Sequence, residues 1–129
     1  MNSNEKKRHL KLNDMSAYVA ALNLSEYVWN IVNNWDYFSK DTIGKQFVRS
    51  VDSISANIAE GFGRYTKKDK INFYRYSFGS TKESLDWNYK SWKRNLITEE
   101  QYKYILKVLT SLPREINELI KFTREKLSI

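Results

Sequence analysis

The sequence predicts an all-α protein, an antiparallel up-down-up-down four-helix bundle, on three observations. Apolar residues recur at alternating steps of three and four in four successive segments, which puts each set on one face of a helix. Turn-forming residues are scarce, with four glycines and one proline, Pro113, in 129 residues. The stretches between the periodic segments are about four to six residues long, and links that short make successive helices antiparallel neighbours.

Residues 1–15 read as a polar N-terminal arm and residues 16–129 as the bundle domain. The first helix is expected over 16–38, with Leu24, Val28, Ile31, Trp35 and Phe38 on its inner face. Ser39 or Asp41 is placed to cap the second helix, and with Ser39 as cap Phe38 and Ile43 would form a hydrophobic staple. The second helix is expected over 41–60, with the stripe Ile43, Phe47, Val51, Ile54 and Ile58. Gly61 and Gly63 follow it and suit a left-handed closing turn. The third helix is expected over 67–94. Thr66 and Asp69 resemble a capping box at its start, and Asn95 suits a left-handed stop. Its stripe is Ile71, Tyr74, Phe78, Leu85, Tyr89 and Trp92. The fourth helix is expected over 99–126, opened by a capping box of Thr98 and Gln101 with Ile97 and Tyr102 at the staple positions. Its stripe is Tyr102, Ile105, Leu109, Leu112, Ile116, Leu119 and Thr123. Pro113 removes a backbone donor inside it and predicts a kink near residues 109–112.

Several function classes find no support. There is no cysteine, so thiolate chemistry and cysteine-metal sites are excluded, and a reducing cytoplasmic location is the easiest fit. His9 is the single histidine and lies in the arm, so a histidine-based acid–base pair is not expected. No Glu-x-x-His pair exists for a di-iron bundle, and GFGR at residues 61–64 does not continue to a nucleotide fingerprint. No apolar run reaches the ~20 residues that a membrane span needs. The expectation is a non-enzyme with no cofactor, no metal and no membrane association.

Three polar constellations stand out. On helix 2, Gln46, Ser50, Ser53, Asn57, Glu60 and Arg64 share one face and read first as a structural polar seam, since solvated faces favour longer charged side chains, with a plain exposed face or a ligand site as alternatives. On helix 3, Phe73, Ser77, Ser80, Ser84, Trp87 and Ser91 form a second small or apolar face beside the main stripe; an oligomer interface through Phe73, Ser77, Ser80, Ser84 and Trp87 is the leading reading, and a central helix wrapped by its own three neighbours is the alternative. The third is basic. The net charge is +7, and residues 64–94 hold nine basic residues against three acidic ones. Arg64, Lys67, Lys68, Lys70 and Arg75 interleave with Tyr65, Phe73 and Tyr74, a mixture suited to phosphate contact and base stacking. Cations near a helix N-terminus oppose its macrodipole, so their placement there asks for another use.

The segment TIGKQFVRSVDSISANIAEGFGR, residues 42–64, resembles the second-helix signature of the 23S ribosomal-RNA intervening-sequence protein family. FYRYSFGSTKES, residues 73–84, is similar to that family's third-helix pattern. The resemblance covers about residues 18–126. It implies a left-handed four-helix bundle that can assemble as a ring-shaped homopentamer. It also implies kinship with the accessory protein of diversity-generating retroelements, whose partners are a reverse transcriptase and nucleic acid. Pro113 departs from the uninterrupted fourth helix expected of the family. Two functions follow as expectations: an oligomeric, low-specificity RNA- or DNA-associated accessory protein, or a protein–protein scaffold with no nucleic-acid role.

Overall fold

Four long amphipathic segments fold as four helices in the computed structural model, which describes residues 11–12 and 15–127. His9 and most of the expected arm lie outside the described residues. The helices are α1 (Ser16–Val32), α2 (Lys45–Phe62), α3 (Lys67–Lys93) and α4 (Glu99–Lys126). A short helical turn, Tyr37–Ser39, and a wide π-helical turn, Lys40–Gly44, lead into α2. Among the described residues there is no strand.

Side-chain contacts set the topology. Ser25 on α1 reaches Val51 on α2, Ser77 on α3 reaches Ile54 on α2, and Asn88 on α3 reaches Tyr102 on α4. Tyr27 of α1 packs on Tyr104 of α4 with ring centroids 4.5 Å apart. Second contacts, Val32 near Val48, Ser84 on Ser50, Lys67 on Arg124 and Ala17 near Leu119, have residue numbers falling on one helix as they rise on its neighbour, so α1, α2, α3 and α4 are successive antiparallel neighbours. α4 closes the bundle against α1.

The apolar stripes of α2 and α4 are the core. Phe47, Val51, Ile54 and Ile58 are buried, as is Ile43 in the turn before α2, and so are Ile105, Leu109, Leu112 and Ile116, with Ile120 added. From α1 come Ala17, Ala21, Leu24, Val28 and Val32. Met15, expected in the arm, is buried in the same core.

The α1–α2 connection differs from expectation. α1 ends at Val32, not Phe38, because Asn33 and Asn34 follow it and the Asn34 side chain donates back to the Asn30 carbonyl at 2.9 Å. Asp36, rather than Ser39 or Asp41, caps the next turn: its carboxylate accepts from the Ser39 amide at 2.9 Å and the Ser39 hydroxyl at 3.0 Å. Those bonds hold its pKa below the usual carboxylate value. Phe38 is 74% exposed, so the Phe38–Ile43 staple does not form.

The closing glycines also differ. Gly63 caps α2 at φ −82°, and among the described residues no glycine has positive φ. Gly61 is there for space: a Cβ on it would lie 2.6 Å from Tyr74 Cε1 and 2.9 Å from the Lys70 carbonyl. Tyr74 itself is buried, which pushes its phenol up to about 12. At the other loop Asn95 takes φ +60° as expected. Thr66 caps α3 by accepting from the Asp69 amide, and Thr98 with Gln101 forms both halves of a capping box. α4 continues through Pro113 as one helix.

The inward line of α3 is polar. Tyr74, Ser77, Thr81, Ser84, Asn88 and Ser91 follow steps of three and four, and each is 2% exposed or less. Ile71, Phe78, Leu85 and Trp92 stand at steps of seven along its flank, and Tyr89, from the expected stripe, is exposed. The buried hydroxyls are satisfied, some within α3 and some across to α2. Thr81 donates to the Ser77 carbonyl at 2.7 Å and Ser91 to the Trp87 carbonyl at 2.7 Å. Ser77 donates across to the Ile54 carbonyl at 3.0 Å. Ser84 Oγ lies 2.8 Å from the Ser80 carbonyl and 3.0 Å from Ser50 Oγ of α2. A buried hydroxyl with a carbonyl partner carries little of the penalty of an unpaired one.

Candidate nucleic-acid interface

The short link from Gly63 to Thr66 and the antiparallel packing gather four helix termini at one end of the bundle: the start of α1, the end of α2, the start of α3 and the end of α4. The five predicted basic residues divide into two groups here. Lys67 Nζ donates to the Arg124 carbonyl of α4 at 2.8 Å. Lys70 Nζ donates to the Phe62 carbonyl of α2 at 2.7 Å and sits 5.6 Å from the Phe62 ring centroid. Desolvation lowers the Lys70 pKa from its ordinary value. Both lysines therefore close C-terminal carbonyls, the negative ends of α2 and α4. That is the use which offsets their position near the N-terminus of α3.

The other three face outward. Lys68 and Arg75 are exposed and make no ion pair among the described residues. Arg64 is exposed and bridges Glu60 at 2.8 Å, with its guanidinium 4.5 Å from the Phe73 ring centroid. Phe73 meets Tyr76 edge-on at 5.3 Å, and Tyr76 is 55% exposed. Tyr65, at the tip of the turn, is 76% exposed. The sequence reading missed the contribution of α4. Lys121, Arg124 and Lys126 occupy its last two turns, and the Lys67–Arg124 bond places the end of α4 beside this cluster. The matched lengths of helices 3 and 4 were the available signal, because equal antiparallel neighbours align their opposite ends.

The predicted seam on helix 2 is split. Ser50 is buried against Ser84. Gln46, Ser53 and Asn57 are half-buried. Ser53 donates to the Arg49 carbonyl and Asn57 to the Ser53 carbonyl, both within the helix. Glu60 and Arg64 are exposed and pair with each other. The predicted oligomer face on helix 3 is corrected in part. Ser77 and Ser84 are fully buried against α2 of the same chain and so reach no partner. Phe73, Ser80 and Trp87 are half-buried on the flank of α3, with the Trp87 indole donating to Glu83 at 3.0 Å.

Among the described residues no group of histidine, cysteine and carboxylate side chains is placed to hold a metal ion. No helix there is long and apolar enough to cross a membrane.

Comparison with known proteins bears on this arrangement. A search of curated proteins gave no match. Among solved structures, the chain is similar to a protein of unknown function from the S23 ribosomal protein family of Bacteroides thetaiotaomicron VPI-5482. The TM-score is 0.72 and the identity 24%, with 81% of this chain and 98% of the other covered, a likeness of fold. The profile of the 23S rRNA-intervening sequence proteins matches residues 13–118, which includes the α2–α3 turn with its glycines and its basic and aromatic side chains. Over four fifths of its length, then, this chain belongs to the 23S rRNA-intervening sequence protein family.

Proposed function

We propose that this protein is a non-enzymatic, cytoplasmic, homo-oligomeric accessory protein that binds RNA or DNA with low sequence specificity through the α2–α3 end of the bundle. One observation carries the reading: exposed Lys68, Arg64 and Arg75 stand among the exposed rings of Tyr65 and Tyr76, where the basic end of α4 also arrives. Exposed cations contact phosphates and release counterions, and exposed rings stack on unpaired bases whatever their sequence. In a closed homo-oligomer, such as the pentamer expected from the family resemblance, the cluster repeats once per subunit, and weak contacts add through effective concentration.

Fluorescence anisotropy with single-stranded RNA and DNA at low and physiological salt tests this. Lys68→Glu with Arg75→Glu is the variant of choice, because neither side chain closes a helix end. Affinity is expected to fall at least about tenfold in the variant, and the salt dependence of binding to become shallower. Absence of binding by the wild type at low salt would replace this reading with that of a protein–protein scaffold. Equal binding by both proteins would move the nucleic acid to another surface.

A further inference from the structure

Two surfaces at opposite ends of the bundle are incomplete in complementary ways. α1 carries one charged residue, Glu26, in its 17 residues, and its outer side exposes Val19, Leu22 and Trp29. At its C-terminal end this side opens into a groove of about 320 Å³ between α1 and the start of α2. Val32, Gly44 and Val48 line the groove with Trp29, and Asn33, Lys40, Lys45 and Arg49 complete its lining. Lys45 is held by Asp41 at 3.1 Å, whereas Lys40 and Arg49 make no ion pair among the described residues.

At the other end, α4 presents Phe122, 43% exposed, beside Glu115 and Glu118. These three residues follow steps of three and four, so they share one helix face next to Met15, Ser16 and Ala17. Neither glutamate makes an ion pair among the described residues. The protomer thus has an open apolar groove with two unpaired cations, and an unburied aromatic ring with two unpaired carboxylates.

We propose that the α1–α2 groove receives Phe122 of a second copy of this chain, with that copy's Glu115 and Glu118 set against Lys40 and Arg49. The apolar part of the lining, Trp29, Val32 and Val48, takes an apolar ring, and Lys40 and Arg49 select one that is flanked by carboxylates. A buried aromatic ring removes roughly 150–250 Å² from water, and the opposed charges fix its orientation. The contact is heterologous because its halves lie on different parts of the chain. Copies add head to tail and close into a ring when the rotation per step allows. This inference rests on the homo-oligomer proposed above and names the surfaces that build it.

Light scattering coupled to size exclusion over about 1–100 µM, a range that detects interfaces of moderate affinity, tests it. Val48→Glu closes the groove and Phe122→Ala removes the ring; neither side chain is fully buried, and circular dichroism verifies folding. Each variant alone is expected to associate at least about tenfold more weakly than wild type. An equimolar mixture of the two retains one good groove and one good ring, so it should yield a species of two chains and stop there. Arg49→Glu should weaken assembly and Arg49→Glu with Glu118→Arg should restore it. Unchanged mass in both single variants, or a mixture that fails to pair, overturns the contact while leaving wild-type assembly standing. A wild type that remains monomeric at the highest concentration overturns the contact and the oligomer together.

Discussion

α2 and α3 pack against each other along their length, yet the lines they turn inward differ in chemistry. α2 contributes Phe47, Val51, Ile54 and Ile58; α3 contributes Tyr74, Ser77, Thr81, Ser84, Asn88 and Ser91, equally buried. The difference shows that polarity does not by itself place a residue outside. A serine or threonine that donates to its own helix one turn back is already satisfied, and its small volume admits the bulkier side chains of the facing helix. Asn88 is the exception on this line: it donates Nδ2 to the Tyr102 carbonyl at 3.2 Å, while its Oδ1 is buried without a hydrogen-bond partner. The apolar side supplies transfer free energy, and the polar side supplies fit.

Mutations on the two lines should separate these contributions. Ile54→Ala is expected to have the largest effect, a loss of about 2–5 kcal/mol in urea unfolding, because the site is fully enclosed and cannot collapse onto the deletion. Gly61→Ala comes next, at about 1–3 kcal/mol, since the new Cβ meets both the Tyr74 ring and the Lys70 backbone. A wild-type melting temperature for this variant would show that α2 and α3 separate freely at their turn. Ser84→Ala should lose about 1 kcal/mol or less, because the Ser50 hydroxyl it abandons keeps the Phe47 carbonyl at 3.0 Å. Asn57→Leu should be smallest, within about 0.5 kcal/mol, as the amide is half-buried and bonds only its own helix. If Asn57→Leu destabilises more than Ser84→Ala, the buried seam runs through Asn57 and the contrast drawn between the two lines is wrong.

The basic turn repeats the lesson in electrostatic form. Five cations that look equivalent in sequence have different occupations once helix ends converge. Lys67 and Lys70 bond carbonyls of α4 and α2, and Lys68 and Arg75 face solvent. Position along the chain cannot separate Lys67 from Lys68, because adjacent helical residues point about 100° apart and only one of them meets α4.

Legibility followed the reach of the interactions. Helix content, the stripes of α2 and α4, the caps at Thr66 and Thr98 and the left-handed Asn95 are local, set by periodicity and by hydrogen bonds that span three or four residues. They were legible in the sequence because nothing distant competes with them. The exposure of Phe38, the reason for Gly61, the inward serines of α3 and the split among the lysines were decided by the tertiary structure. Each depends on which helix lies opposite and at what height, a property of pairs of segments far apart in the chain, to which a pattern of hydrophobicity along one segment is blind.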